Sequence, residues 1–92
     1  MRVRWTSAAA DDLESIANYL FENTPENAAR LVRDVYEAAS SLKSLPSRGR
    51  AGKKAGTREL VMSSLPYIIV YQVREDTAHI VRILHGSQDW PR

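Results

Sequence analysis

The sequence predicts an α+β domain in which a helical hairpin packs on an antiparallel sheet, in the order β-α-α-β-β-β. Apolar residues recur at helical spacing in two adjacent segments of the first half of the chain. Three short runs rich in Ile, Val and Tyr follow in the second half, separated by turn-length segments. A chain of 92 residues has room for one core, so we expect residues 1–92 to form a single domain.

The first strand and the first helix are predicted from residues 2–24. Polar and apolar side chains alternate over residues 2–5, which predicts a strand with Val3 and Trp5 towards the core. Thr6 or Ser7 can cap the helix that follows. Its apolar face comprises Leu13, Ile16, Ala17, Leu20 and Phe21. Asn23 and Thr24 end this helix.

A second helix begins at Thr24 and Pro25, with threonine as the cap and proline in the first turn, where its missing N–H costs nothing. Its predicted buried stripe is Ala28, Leu31, Val32, Val35, Tyr36, Ala39 and Leu42. Because Pro46 disfavours helix at Leu45, we expect the helix to end near Ser44.

The second half of the chain predicts a loop and three strands. Gly, Ser, Arg and Lys dominate residues 47–56, which indicates a loop. Strand-like runs follow at 57–63, 67–74 and 79–85, and the intervening segments 64–66 and 75–77 are short enough for hairpin turns. These strands therefore form an antiparallel meander covered on one face by the helices.

Charge is distributed unevenly along the chain. The formal net charge is +2, yet residues 1–42 sum to −3 and residues 43–92 to +5. The segment 38–58 contains six cations and no acid: Lys43, Arg48, Arg50, Lys53, Lys54 and Arg58. Because crowded like charges repel, this cluster is not expected to help the fold. It favours contact with an anionic partner, either nucleic acid or an acidic protein segment; the other interpretation is a solvated loop.

Several function classes are excluded by composition and spacing. There is no cysteine, so a disulfide or a cysteine-based metal site or nucleophile is impossible. His79 and His85 lie about 20 Å apart on one predicted strand, too far to share a metal ion. The glycine-containing loop at 49–57 lacks the spacing of a phosphate loop and follows a helix instead of a strand, which excludes nucleotide hydrolysis. We expect no metal and no cofactor.

The apolar runs are too short to span a bilayer, and the first five residues lack the apolar stretch of a signal peptide. We therefore expect a cytoplasmic protein that does not enter a membrane.

Three side chains have both a structural and a functional interpretation. His85, at the end of the last strand and within reach of the basic loop, can act as a general acid or base or can be structural. Arg82, inside an apolar strand, can pair with a carboxylate on the open face of the sheet or contact phosphate. Trp90 can fold back over the domain or anchor a partner.

Three stretches of the chain resemble the RelE/ParE toxin family. Residues 3–13 are similar to the strand-to-helix start of that family. Residues 58–62 and 65–71 resemble its second and third strands, and residues 80–86 resemble its closing strand. The resemblance covers nearly the whole chain in the family's order. It implies a cytoplasmic toxin of a toxin–antitoxin pair, neutralised by a cognate antitoxin wrapped around it.

Two activities compete within that family. RelE-like members cut messenger RNA on the ribosome without a metal, whereas ParE-like members inhibit DNA gyrase. The nuclease branch commonly has Tyr-Arg-Leu-Val-Tyr where this chain has Tyr-Ile-Ile-Val-Tyr at 67–71, so Ile68 replaces a catalytic cation. The resemblance therefore favours a gyrase inhibitor. The alternative is a ribosome-dependent endoribonuclease with His85, Arg82 and Arg58 at its centre.

For either target, the predicted binding residues are those of the basic segment and the C-terminal aromatic: Arg48, Arg50, Lys53, Lys54, Arg58 and Trp90.

Overall fold

The computed structural model describes residues 1–86, 88 and 90. The described part of the chain contains β1 (Arg2–Trp5), α1 (Ser7–Asn23), α2 (Pro25–Ser40), a 3₁₀ helix (Ser41–Lys43), β2 (Arg50–Ala51), β3 (Arg58–Val61), β4 (Tyr67–Arg74) and β5 (Thr77–His85). The predicted α+β class, with a helical hairpin on one sheet, is confirmed. The two-residue strand β2 was not predicted, because two residues carry no periodic signal.

The sheet has the strand order β1-β5-β4-β3-β2. The predicted antiparallel meander of β3, β4 and β5 is confirmed, and β2 adds to it antiparallel to β3. β1 is the exception, since it pairs parallel to β5 and makes the sheet mixed. Along β4, Tyr71 pairs with Ile80 and Val70 with Arg82, so Val81 is an extra residue that forms a bulge in β5.

The helix ends follow the predicted capping chemistry in part. The hydroxyl of Thr6 accepts the backbone N–H of Ala9 and caps α1 as predicted. Pro25 occupies the first turn of α2, but the Thr24 side chain makes no capping hydrogen bond. α2 ends at Ser40 and tightens into the 3₁₀ helix, slightly before the predicted end at Ser44. Neither helix is long and apolar enough to cross a bilayer.

The core lies between the helical hairpin and one face of the sheet. The helical side supplies Ala9, Val35, Ala39 and Leu42, and the sheet supplies Leu60, Tyr67, Ile69, Tyr71, Ala78, Ile80 and Ile83. Val3 and Trp5 are partly buried against this core, as predicted from the alternation in β1.

Two of the predicted core residues are exposed. Phe21 is 53% exposed and Tyr36 is 48% exposed. They line an apolar groove of about 560 Å³ between α1 and α2, together with Leu13, Ala29 and Val32. The prediction was wrong here because the apolar stripe of each helix is wider than the sheet can cover.

The face of the sheet turned away from the helices is called the open face below. Tyr67, Ile69 and Tyr71 of β4 belong to the core, so the alternate residues Ile68 and Val70 point to the open face. Their register partners on β5 are Leu84 and Arg82. This register decides which predicted functional residues share a surface.

Candidate functional site

The basic loop between the 3₁₀ helix and β3 is attached to the sheet through a buried tyrosine. The Tyr71 hydroxyl accepts the backbone N–H of Gly49 at 2.8 Å and donates to the carbonyl of Pro46 at 2.7 Å. The Arg58 guanidinium donates to the Gly49 carbonyl, also at 2.8 Å. An added Cβ on Gly49 would lie 2.7 Å from the Tyr71 ring and hydroxyl, so only glycine fits this approach. The loop therefore enters β2 in a defined position.

A buried carboxylate organises the cations of this loop. Glu59, which is 5% exposed, accepts two hydrogen bonds from the Arg50 guanidinium and one from the Lys53 backbone N–H. Burial alone would raise the pKa of Glu59, but the Lys53 amide together with the hydrogen bonds and charge of Arg50 outweighs burial, and the pKa is lowered. The expectation that the basic segment does not help the fold is therefore wrong for Arg50, since its partner lies one residue beyond the acid-free segment.

A small cavity of about 90 Å³ opens on the open face at this point. Its lining combines loop cations, apolar strand residues and the chain end: Arg50, Lys53, Glu59, Ile68, Leu84, Gly86, Gln88 and Trp90. Trp90 is partly buried there, so of its two predicted roles the structure favours the one in which it folds back over the sheet. Ile68 and Leu84 give the cavity an apolar floor.

Arg82 is bound by a carboxylate of the first helix. Its guanidinium donates to both Asp12 oxygens, at 2.6 and 3.0 Å, and the same carboxylate accepts the backbone N–H of Ile83. The hydrogen bonds that Arg82 donates to Asp12 raise the pKa of Arg82, so this side chain stays charged. A carboxylate partner was predicted on the open face of the sheet. It lies on α1 instead, where Asp12 reaches the edge that β5 exposes beyond the end of β1.

His85 lies on the helix side of the sheet. Its ring meets the ring of Tyr67 edge to face, with centroids 6.1 Å apart. Both residues line an apolar cleft of about 380 Å³ with Ser15, Ile16, Tyr19 and Pro66. Burial, and secondarily Tyr19, raises the pKa of Tyr67. The expectation that His85 lies within reach of the basic loop is wrong. The β5 bulge and strand alternation place its side chain on the helix side, on the other face from Arg50 and Lys53 and about 13 Å along the strands from Arg58.

The three residues predicted for a nuclease centre are therefore held in separate surroundings. Arg58 lies opposite Tyr71 on β4 while His85 lies opposite Tyr67. Four residues of strand separate these positions by about 13 Å. Arg82 is held by Asp12 at the strand edge. The chain does not bring the three side chains to one reaction point.

The remaining predicted binding residues lie on the exposed part of the loop. Arg48 donates to the Ser41 hydroxyl at 2.8 Å, and its side chain stays at the surface. Lys53 and Lys54 are exposed, and their backbone groups form hydrogen bonds with Glu59 and Thr57, respectively. No cluster of carboxylates and histidines able to hold a metal ion occurs among residues 1–86, 88 and 90.

Sequence reasoning missed the two acids that organise these cations. Neither Asp12 nor Glu59 is among the residues that the sequence analysis singles out. Glu59 directly follows Arg58 and is the first acid after the basic segment. That position was the signal in the sequence that could have identified it.

Comparison with known proteins places the chain in a family. The sequence model described as "ParE toxin of type II toxin-antitoxin system, parDE" matches residues 3–90. The chain belongs to this ParE toxin family. Membership implies a cognate antitoxin as a binding partner.

Individual relatives agree with this assignment. Toxin RelE2 of Caulobacter vibrioides is 40% identical over 87 residues, which cover 95% of this chain and 97% of RelE2. Y4kP of Sinorhizobium fredii, also named as a toxin, is 38% identical over 91 residues, covering 99% of this chain and 94% of Y4kP. A solved chain of the chromosomal ParDE toxin–antitoxin system of P. aeruginosa superposes with a TM-score of 0.86 at 28% identity, covering 92% of this chain and 95% of that one. The fold and the toxin–antitoxin class thus agree with the sequence prediction.

Proposed function

We propose that this ParE family toxin acts by binding and inhibiting DNA gyrase, as a binding protein and not as an enzyme. The observation that carries the proposal is the floor of the open-face cavity, where Ile68 and Leu84 present apolar surface. A cleavage centre needs a cation that stabilises the developing charge on a phosphate. Ile68 supplies none, and the charge of nearby Arg50 is already balanced by Glu59.

The separation of the other candidate catalytic groups supports the same proposal. General acid–base chemistry needs groups within hydrogen-bond reach of one reacting atom. Arg82 is bound to Asp12 and Arg58 to the Gly49 carbonyl, while His85 lies about 13 Å along the strands from Arg58. Arg82 and Arg58 thus each have a structural partner that accounts for their position.

The exposed part of the basic loop is the surface we assign to the target. Arg48, Lys53 and Lys54 project from a loop whose backbone is held by Tyr71 and Glu59. A backbone held in this way lowers the entropy cost of binding, because the loop does not have to become ordered when the target binds. Trp90 lies beside Lys53 and adds aromatic contact area at the rim of this surface. Since gyrase acts on intracellular DNA, this proposal also assigns a cytoplasmic location.

Gyrase supercoiling in the presence of purified toxin tests the proposal. We expect wild-type toxin to block supercoiling of relaxed plasmid and the Lys53→Gln/Lys54→Gln variant to require a higher concentration. Arg30→Gln/Arg33→Gln removes the same charge from exposed positions of α2 and serves as the matched control. Supercoiling unaffected by wild-type toxin would contradict the proposal.

A ribosome-dependent endoribonuclease is the alternative, and the name of the 40% identical relative RelE2 is the observation that favours it. This alternative predicts cleaved transcripts on translating ribosomes when toxin is added. It further predicts that His85→Ala abolishes cleavage while the protein stays folded. Intact messages together with blocked supercoiling would decide for gyrase.

A further inference from the structure

The open face carries a second group of cations at the end remote from the cavity. The strand register aligns Arg4, His79 and Gln72 in one row across β1, β5 and β4. It aligns Arg2, Thr77 and Arg74 in the next row. These six residues, Arg2, Arg4, Gln72, Arg74, Thr77 and His79, are called the Arg2–Arg74 patch. The patch begins about 13 Å along β4 from Ile68, so it is separate from the cavity.

Within the described part of the chain, the side chains of the three patch arginines form no hydrogen bond or ion pair. Arg2, Arg4 and Arg74 are exposed. The ion pairs found within residues 1–86, 88 and 90 use Arg30, Arg50 and Arg82, so none of them involves the patch. The nearest acids in sequence are Glu75 and Asp76, which form the β4–β5 turn beyond the second row.

Charge is also separated between the two layers of the fold. The helices α1 and α2 carry seven acidic and two basic residues. On the open face, the ionisable side chains of the patch are arginine and histidine, and the Glu59 carboxylate further along is bound to Arg50. The molecule therefore presents a basic sheet face and an acidic helical face, which orients it in the field of a polyanion.

We propose that the Arg2–Arg74 patch binds the phosphate backbone of nucleic acid. This inference rests on the proposed function in one respect: if the toxin binds gyrase, the nucleic acid that the patch contacts is the DNA near gyrase. Along a strand, alternate residues are about 6.6 Å apart, and neighbouring strands are about 4.8 Å apart. The cations thus form a two-dimensional array that spans more than one phosphate, and Gln72 and His79 add hydrogen-bonding groups between them.

The composition of the patch favours nucleic acid over an acidic protein segment. Protein interfaces gain most of their affinity from apolar and aromatic anchors seated at the centre. Both rows consist of polar or charged side chains and offer no such centre. Interfaces with nucleic acid are instead polar and strongly positive, and phosphate contacts supply much of their affinity.

Binding of a fluorescein-labelled DNA duplex, followed by anisotropy over a series of salt concentrations, tests the inference in the absence of gyrase. The slope of log affinity against log salt is negative, and each lost phosphate contact reduces its magnitude by about 0.9. Arg4→Gln/Arg74→Gln should therefore make the slope less steep by about 1.8. Arg30→Gln/Arg33→Gln, with the same charge change on α2, should leave the slope unchanged. Thermal melting by circular dichroism checks that both variants are folded.

An unchanged slope in Arg4→Gln/Arg74→Gln, or an equal loss in both variants, would overturn the inference. The inference would also be overturned if Arg4→Gln/Arg74→Gln lost binding to labelled poly-glutamate but bound DNA as the wild type does. The face would then be a protein-binding surface. The supercoiling assay separates the two proposals. Wild-type toxin that binds DNA through the patch but leaves supercoiling intact would support the patch and overturn the gyrase assignment. Wild-type toxin that inhibits gyrase but does not bind DNA would support the gyrase assignment and overturn the patch.

Discussion

Asp12 of α1 and Arg82 of β5 form a bidentate ion pair across 70 residues of sequence. The same carboxylate accepts the backbone N–H of Ile83, so one side chain satisfies three donors. The side chains are 17% and 29% exposed, respectively. Asp12 thereby joins the start of the first helix to the last strand at the point where Val81 bulges and β1 has ended.

Replacement of Asp12 by Asn should destabilise the fold by about 1–3 kcal/mol, because Arg82 then stays partly buried without its counter-charge. Urea unfolding at neutral pH measures this change. Asp34→Asn is the matched control, since Asp34 pairs with Arg30 at i, i+4 on an exposed helix face. That change should cost no more than about 0.5 kcal/mol. Equal losses in the two variants would show that the Asp12–Arg82 pair has no special structural role.

Acid sensitivity should depend on Glu59. Its folded-state pKa lies below the ordinary value of 4.5, so the ionised form is bound more tightly in the folded protein than in the unfolded chain. This contribution is fully present above the ordinary value and is lost as pH falls through the lower folded-state value. Glu59→Gln should therefore cost about 1 kcal/mol at neutral pH, a modest figure because Arg50 is 62% exposed.

The difference between wild type and Glu59→Gln should shrink when the pH is lowered from neutral to a value below 4.5, because this contribution is lost as the carboxyl takes up a proton. Urea unfolding at the two pH values measures it. Glu14→Gln, at an exposed position of α1, is the control. Its difference from wild type in the free energy of unfolding should be the same at both pH values. A Glu59→Gln penalty that persisted unchanged in acid would argue against a charge-dependent role.

The basic loop should loosen when the Tyr71 hydroxyl is removed. Tyr71→Phe leaves the Gly49 N–H and the Pro46 carbonyl without their partner, which costs about 1–3 kcal/mol for buried groups. Trypsin, which cleaves after Arg48 and Arg50, should then cut the loop faster in native conditions. Tyr36→Phe removes a hydroxyl from a half-exposed ring on α2 and should leave the cleavage rate as in wild type.

Local patterns in the sequence predicted the helices, the three long strands and the Thr6 cap, because each depends on residues close together in the chain. The parallel pairing of β1 with β5 joins Arg2 to Thr77 and depends on the packed hairpin between them. The two-residue strand β2 depends on Tyr71, Glu59 and Arg58 fixing the loop. Neither contact leaves a periodic signal.

The same distinction explains the candidate site. The composition of the sequence shows the basic segment and Arg82, but their partners Glu59 and Asp12 are defined by tertiary contacts. The face on which His85 lies depends on one extra residue at Val81, since a shift of one residue reverses the side of a strand to which side chains point. Sequence periodicity alone therefore assigned His85 to the wrong surroundings.

The β4–β5 turn offers a stabilising change. Glu75 and Asp76 have φ angles of 51° and 60°, so both occupy the left-handed region in a two-residue hairpin loop. Residues with a Cβ are disfavoured there, and Asn-Gly is the preferred pair. Glu75→Asn/Asp76→Gly should therefore raise the free energy of unfolding by about 1 kcal/mol, which corresponds to a Tm increase of about 4–8 °C for a domain of this size.

Differential scanning calorimetry measures the change in Tm, and a second variant separates backbone strain from charge. Glu75→Gln/Asp76→Ala removes the same two carboxylates but keeps a Cβ at both left-handed positions. Relief of strain predicts that the Tm rises with Asn-Gly and does not rise with Gln-Ala. Equal increases in the two variants would instead assign the effect to the loss of the two negative charges.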